Sequence, residues 1–414
     1  MENKNYDIIV VGAGPAGNMA AIEGSKRGLK TLVIDKKSEI GSPVRCGENI
    51  GEKSLRELGL RADDEWVERY LKRQHYFVLG KKITVKIPTF QLNRKLFEQA
   101  LAKEAIRKGA DYRIRTELLS LIKDNGKIKG VKALSQGRVS SFYGKIIIAA
   151  DGVDSLTAKM AGFPTENNLR DYASGFQYHL TNLNLEDPDA LYFYIDEKAL
   201  GGYIWIFPRD EVTANVGIGM IPKKGLPHVR TILNNFIQSH PEIFGKAEPL
   251  EIVSGGVPLG YPFPALVTDN FMIVGDAAHF VSAISGGGMS WAMFSAKEAV
   301  EVAAKAIEEG DCSKSMLLPY QEKWLKGRGK TLRFYYKVRR YAESFDEETV
   351  KKAVNILSKR DLDNIPKKGK SFYYTLALKK LPKAIPFILK YRKTSKEVER
   401  ELKREEKKIL EKSP

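Results

Sequence analysis

Residues 6–40 restrict the possible folds more than any other stretch of this chain. Asp7-Ile8-Ile9-Val10-Val11 is a β-branched apolar run and reads as a fully buried strand. It leads directly into Gly12-Ala13-Gly14-Pro15-Ala16-Gly17, a G-x-G-x-x-G pattern. A helical segment over residues 18–27 follows, closed by Gly28. A second buried strand, Thr31-Leu32-Val33-Ile34, ends in Asp35. Each position has a physical reason. Gly12 permits a tight turn, Gly14 a close approach of backbone to a pyrophosphate, and Gly17 close helix–strand packing. The helix N-terminus turns free N–H groups toward phosphate oxygens. Asp35 stands about twenty residues past the glycines, where an acid accepts hydrogen bonds from a ribose. A G-x-G-x-x-G pattern alone is a weak signal, and its bland reading is an idle glycine turn. Strand, glycines, helix, strand and acid in that order predict a Rossmann-like dinucleotide-binding unit. Its place at the start of the chain, with a second nucleotide motif far downstream, suits FAD better than NAD.

At 414 residues the chain is too long for one compact core and calls for two or three domains. No apolar run approaches the ~20 residues needed to span a bilayer. The first strand starts at once, which leaves no room for a signal peptide, so a cytoplasmic protein is expected. Two cysteines, Cys46 and Cys312, exclude a four-cysteine iron–sulfur site within this chain and make a disulfide framework a poor reading. No metal site is expected. The net charge of +17 favours anionic partners, either a phosphorylated substrate or an anionic membrane surface. No nucleic-acid-binding motif accompanies the charge, so no nucleic acid is expected as a partner.

Further along, glycines 41, 47 and 51 flank Arg45-Cys46-Gly47-Glu48. Cys46 reads either as a small buried filler or as a thiol facing a ligand, and Arg45 and the glycines favour the second. An amphipathic helix is expected over 54–70, a hairpin over 75–87, and a helix over 92–108 with Arg94 in its first turn. Arg94 is either a solvated charge or a cation reaching a cofactor phosphate. Residues 145–152 form a buried strand ending at a glycine. Between 171 and 257 helical periodicity gives way to alternating aromatic strands, which predicts an inserted antiparallel sheet. In Tyr203-Ile204-Trp205-Ile206-Phe207-Pro208 the alternation places Tyr203, Trp205 and Phe207 on one face. That face is either packed under a helix or forms an aromatic wall of an apolar substrate pocket, and the wall is the stronger reading. Another buried strand then runs into Gly275-Asp276-Ala277-Ala278. It is followed by Gly286-Gly287-Gly288-Met289 and a helix to about residue 308. The remainder is helical and basic. Residues 364–370 read as a linker, 376–392 as an apolar segment broken at Pro382 and Pro386, and 395–412 as a charged, solvated helix.

Taken together, the glycine motif with Asp35, Gly275-Asp276 and the inserted aromatic sheet resemble the p-hydroxybenzoate hydroxylase-type FAD superfamily. Arg45-Cys46-Gly47-Glu48, Tyr-x-Trp-x-Phe-Pro at 203–208 and Gly286-Gly287-Gly288 narrow the resemblance to the geranylgeranyl reductase family, nearest its archaeal digeranylgeranylglycerophospholipid reductase branch. The likeness spans roughly residues 6 to 340. It implies an α/β fold in which a Rossmann-like FAD-binding domain (1–62, 88–165 and 258–327) carries an inserted antiparallel β-sheet substrate domain (63–87 and 166–257). A basic helical C-terminal region (328–414) follows. It also implies an FAD-dependent reductase that saturates C=C bonds of geranylgeranyl chains in isoprenoid membrane lipids. The expected FAD contacts are Gly12, Gly14, Pro15, Ala16, Gly17, Asp35, Arg45, Cys46, Gly47, Arg94, Asp276, Gly286, Gly287, Gly288 and Met289. Tyr203, Trp205, Phe207 and Pro208 are expected on the substrate side. Cys46 is the candidate catalytic residue, and ordered water is the other candidate proton source. The electron donor would be a ferredoxin-like protein or NAD(P)H, and the basic surface would suit peripheral attachment to an anionic membrane.

Three other functions share parts of this pattern. A flavin-dependent aromatic monooxygenase shares the nucleotide motifs, but Cys46 and the aromatic run speak against it. An electron-transfer flavoprotein:quinone-type oxidoreductase is disfavoured by the lack of cysteines for a cluster. A non-catalytic lipid carrier would purify without flavin.

Overall fold

The fold is taken from a computed structural model that describes residues 5–166, 168–195, 201–222, 225–343, 348 and 381–414, with 381–395 as backbone only. In chain order the elements begin with β1 (Asn5–Val11), α1 (Pro15–Lys26), β2 (Thr31–Ile34), β3 (Asn49–Gly51), α2 (Glu52–Leu58), β4 (Val67–Leu71), β5 (Arg73–Val78) and β6 (Lys81–Val85). Next come β7 (Thr89–Leu92), α3 (Arg94–Arg107), β8 (Asp111–Arg113), β9 (Thr116–Asp124), β10 (Lys127–Ser135), β11 (Arg138–Ala149) and α4 (Leu156–Met160). The middle holds β12 (Tyr172–Thr181), β13 (Ala190–Ile195), β14 (Gly202–Pro208), β15 (Ala214–Met220), α5 (Val229–Gln238), α6 (Pro241–Phe244) and β16 (Glu248–Pro258). The last part comprises β17 (Val267–Thr268), β18 (Phe271–Ile273), α7 (Met289–Glu308), α8 (Lys314–Lys326), α9 (Arg328–Ala342) and α10 (Leu381–Lys412).

The first sheet has the order β17-β18-β11-β1-β2-β8, with β10 and β9 added beyond β11. β1 lies parallel to both β2 and β11, pairing Ile8 with Thr31 and with Ile146. Ile8, Ile9, Val10, Leu32, Val33, Ile146 and Ile147 are wholly buried, as β-branched runs covered on both faces must be. Helices α1 and α7 pack on each other over this sheet. The chain turns from β1 into α1 at Gly12, whose φ of +107° and contact with the Ala150 carbonyl leave no room for a side chain.

The second sheet has the order β16-β12-β15-β14-β13-β5-β6. Neighbours are antiparallel except β13 and β5, which run parallel (Phe193 opposite Tyr76). The sheet is therefore mixed rather than purely antiparallel, because the β5–β6 hairpin arrives from a distant part of the chain. A small third sheet has the order β3-β7-β4.

Three expectations change. The helix predicted over 54–70 stops at Leu58, where Gly59 adopts a left-handed φ of +76°; β4 follows and pairs with β7. Of the segment 376–392, expected to break at Pro382 and Pro386, residues 381–392 belong to one helix, α10, from Leu381 to Lys412, and 376–380 lie outside the described residues. Pro382 falls in the first turn, where no backbone N–H is needed, and Pro386 forfeits one bond of the second. The tail of α10 is not simply solvated. Val398 and Leu402 are buried with Tyr261, Tyr336 and Tyr341, and Glu399, Glu401 and Glu406 pair with Lys337, Arg170, Arg340 and Arg333. The linker expected at 364–370 lies outside the described residues.

Candidate active site

The glycine turn is built as its sequence requires. A side-chain carbon at Gly17 would stand 1.8 Å from the Gly12 carbonyl oxygen, so α1 reaches β1 only with glycine there. Gly14 is the N-cap of α1, has no side-chain cap, and faces open space; Pro15 opens the helix. Asp35 accepts hydrogen bonds from the Ala13 N–H (2.7 Å) and the Lys37 N–H (2.8 Å), which fixes its carboxylate beside the turn. Asn18 clamps the same turn, donating to the carbonyls of Ala13 (2.9 Å) and Glu98 (3.2 Å).

The downstream motif closes on this turn. Gly275 sits against Ala16, with only 3.1 Å between a side-chain carbon placed there and the Ala16 methyl. Asp276 lies in a short 3-10 turn, Gly275–Ala278. Its carboxylate is half-buried, and a side chain on Gly288 would approach it within 3.0 Å. Among the described residues no hydrogen bond satisfies this carboxylate. Burial raises its pKa, offset in part by the charge of Arg94. Gly288 is the N-cap of α7 and, like Gly14, carries no capping side chain; Met289 begins the helix. Two helix N-termini, α1 and α7, thus bracket Ala16 and Asp276 with free N–H groups.

Arg94 opens α3 and is not a solvated surface charge. Its Nε donates to Glu98 (2.7 Å), and Cys46 adds to the electrostatic surroundings of its guanidinium. These partners outweigh the burial cost and raise its pKa. The Cys46 Sγ accepts from the Glu48 N–H at 3.2 Å. Arg45, by contrast, is exposed, and its stem lies over Gly255.

The loop 46–48 meets the second sheet. Gly47 is pressed on Phe207, where a side-chain carbon would stand 2.8 Å from Cε2. On β14, Ile204 and Ile206 face inward and pack with Val229, Ile232, Leu233 and Phe236 of α5. Tyr203, Trp205 and Phe207 take the opposite face, so the helix covers the isoleucines and not the aromatic side. There Phe193 meets Tyr203 (5.5 Å) and Phe207 (5.3 Å) edge-on and stacks on Tyr76 (4.7 Å). Tyr203 donates its hydroxyl to the Ser285 carbonyl at 2.5 Å, which ties the aromatic face to the glycine loop before α7. Pro208 ends the strand, buried.

Sequence reasoning missed two features of this site. The first is a glycine floor. Strand register places Gly217 opposite Trp205, Gly219 opposite Tyr203 and Gly175, and Gly175 opposite Gly255, all on the aromatic face. Trp205 lies flat over Gly217, leaving 2.3 Å between its Cζ2 and a side-chain carbon placed there. The signal was present as glycines inside an alternating strand, Gly217-Ile218-Gly219, which mark a close approach. The second is a buried polar brace. The Glu48 carboxylate accepts from the Arg94 N–H (3.0 Å), from Asn215 (2.8 Å) and from Arg209, while Gln91 donates to the Gly47 carbonyl at 2.9 Å. Its members come from three stretches of the chain, at Glu48, at Gln91 and Arg94, and at Arg209 and Asn215, so no local pattern announces it. On the opposite face of the sheet an open cleft of about 900 Å³ is lined by Tyr172, Phe176, His228 and Arg230. It shares Gly175 and Gly255 with the glycine floor but holds none of the motif glycines, Asp276, Cys46 or the rings of β14.

Residues 171–257 match the family model of the geranylgeranyl reductase catalytic domain, and residues 7–177 that of the FAD dependent oxidoreductases. The digeranylgeranylglycerophospholipid reductase of Methanoculleus marisnigri is 35% identical over 83% of this chain and 88% of its own. The chain belongs to the geranylgeranyl reductase family. A geranylgeranyl bacteriochlorophyll reductase-like protein from Thermoplasma acidophilum has the same fold, with a TM-score of 0.85 and 31% identity over 93% of this chain and 98% of its own. A flavin-dependent brominase, at 19% identity, TM-score 0.66, and 84% and 98% coverage, shares the fold alone.

The family is FAD-dependent, and the residues present fit that group. The open space over Gly14, the uncapped N-termini of α1 and α7, and the unsatisfied carboxylate of Asp276 are the vacant donors and acceptors that a dinucleotide would satisfy.

Proposed function

We propose that this FAD-dependent oxidoreductase saturates carbon–carbon double bonds of geranylgeranyl chains in isoprenoid lipids, at the place where the Cys46–Glu48 loop meets the aromatic face of β14. The observation that carries this reading is the contact of Gly47 with Phe207 and Trp205, which puts a thiol-bearing loop against an apolar, ring-lined face. The names and overall likeness of the relatives support the same chemistry.

Bound FAD, when reduced, supplies a hydride. Gly12, Gly14, Pro15, Ala16, Gly17 and Asp35 would hold its adenosine and pyrophosphate side. Arg94, Asp276, Gly286, Gly287, Gly288 and Met289 would hold its ribityl and ring side, with Cys46 and Gly47 at the edge nearest the wall. An isolated alkene is electron-rich and resists hydride unless its other carbon gains a proton in the same step. The rings of Tyr203, Trp205 and Phe207 exclude water and stabilise positive character on that carbon. Cys46 is the proton donor of this chain: once Sγ gives up its proton, the Glu48 N–H holds the charge and the positive field of Arg94 favours it. Electrons arrive from a ferredoxin-like protein or from NAD(P)H. The charge of +17 supports peripheral attachment to an anionic membrane, and no described helix is long and apolar enough to cross one.

The test is anaerobic. The flavin is reduced with dithionite, a geranylgeranyl lipid is added, and the expected result is reoxidation with a lipid mass gain of two hydrogens per bond. Flavin that stays reduced in the presence of the lipid overturns the assignment. Cys46→Ala is expected to slow reoxidation about a hundredfold while retaining FAD, the scale typical of a lost general acid. An unchanged rate would remove Cys46 from the proton step.

A further inference from the structure

Gln177 on β12 is 4% exposed and uses both ends of its amide. Its Oε1 accepts from the Trp205 indole Nε1–H at 3.0 Å, and its Nε2 donates to the Cys46 carbonyl at 3.1 Å. Register sets the side chain on the aromatic face, opposite Gly217. Gly217 is where the Trp205 ring lies against bare backbone, so the indole rests on Gly217 and is steered by a single hydrogen bond. Trp205 is only half-buried, whereas Gln177 is closed off from solvent.

We infer that Gln177 is a positioning residue that couples the Trp205 ring to the Cys46 backbone, so that an apolar chain settling on the aromatic face adjusts the loop that faces the flavin. The inference rests on the functional reading above. The physics is that of a short, buried hydrogen-bond chain: each link is costly to leave unmade, so movement of the indole is passed on rather than absorbed by solvent. The polar brace around Glu48 holds the next residue of the loop: Gln91 and Asn215 donate to the Gly47 carbonyl at 2.9 and 3.3 Å, and Asn215 shares the aromatic face, so Gln177 is the group of that face that holds the Cys46 carbonyl while Asn215 holds its neighbour.

Three variants of the full-length, FAD-loaded protein separate the links. Gln177→Leu removes both bonds. Gln177→Glu keeps an acceptor for the indole and loses the donor to Cys46. Trp205→Phe removes the indole donor together with part of the ring that lies over Gly217. Each is purified with its flavin and titrated with a fully saturated lipid, which binds without reacting. Wild type is expected to show a change in the flavin absorbance spectrum on binding. Gln177→Leu and Gln177→Glu are expected to bind the same lipid with the spectral change lost, and to lower kcat about tenfold with KM little altered, the scale of one buried hydrogen bond. Gln177→Leu combined with Trp205→Phe is expected to cost no more than the larger single effect. A full spectral response and wild-type kcat in Gln177→Glu overturn the coupling, as do strictly additive effects in the double variant. A wild type that holds FAD yet reduces no geranylgeranyl lipid overturns the functional reading and the coupling with it. Wild-type turnover with unaltered Gln177 variants overturns the coupling alone.

Discussion

Gly47 is the residue at which the two halves of the molecule meet. Its backbone lies so near Phe207 that a methyl group would be forced to 2.8 Å from the ring edge and 3.7 Å from the indole nitrogen of Trp205. Gly47→Ala is therefore expected to lower stability by about 1–3 kcal/mol, the usual cost of overpacking, and to raise KM for the lipid. Urea unfolding and steady-state kinetics check this, and a variant unchanged in both would show that the loop and the wall are not in contact. His279 gives a second residue-scale expectation. Burial, set against a bond to the Tyr261 backbone and the charge of Asp171, pushes its imidazole down to about 4, and its Nε2 has no hydrogen-bond partner. The unfolded chain binds this proton near pH 6.5 and the folded one only near pH 4. The contribution is thus fully present above pH 6.5 and is lost as the pH falls from 6.5 to 4, at most about 3 kcal/mol in all. His279→Gln is expected to flatten that part of the stability–pH curve; an unaltered slope would mean that His279 titrates normally.

Among the elements, β14 and α10 differ in how openly their roles are written. The alternation of β14 is complete, with isoleucines under α5 and aromatic rings on the far side, because a period of two allows no other outcome once one face is buried. The floor beneath those rings comes from β12, β15 and β16, whose glycines align only through pairing. A reader of one strand sees a gap where the sheet has a trough. α10 is harder still. Its charges suggest solvent, yet Val398 and Leu402, four residues apart, form a narrow apolar stripe, and the glutamates between and beyond them meet arginines of α9 and Arg170. Leu402 is 4% exposed, and Leu402→Ala is expected to cost about 2–5 kcal/mol, measured by denaturant unfolding of the full chain. A cost below about 0.5 kcal/mol, as for a surface substitution, would mean that α10 does not dock.

At the scale of the whole molecule, the nucleotide-binding half was legible because its signals are local: a strand, a glycine turn and an acid within forty residues, repeated in kind at 271–289. The aromatic face was legible for the same reason. What escaped depends on distance along the chain. Glu48, Gln91, Gln177, Arg209 and Asn215 are ordinary polar residues until folding brings them round one loop. The helix expected over 54–70 failed because Gly59 can take a left-handed turn that ends it, and the strand beyond then finds a partner in β7. Folding sets uncapped helix N-termini and Asp276 in one half of the molecule and rings over a glycine floor in the other, tied together by the Gly47–Phe207 approach and the Tyr203–Ser285 hydrogen bond. The most direct test is a crystal structure of the FAD-loaded protein with a saturated geranylgeranyl lipid. The expected result is the lipid chain lying against the rings of Tyr203, Trp205 and Phe193, with the flavin between Cys46 and Gly288. A lipid bound instead in the cleft beside α5, or an aromatic face filled by the protein's own side chains, would contradict it.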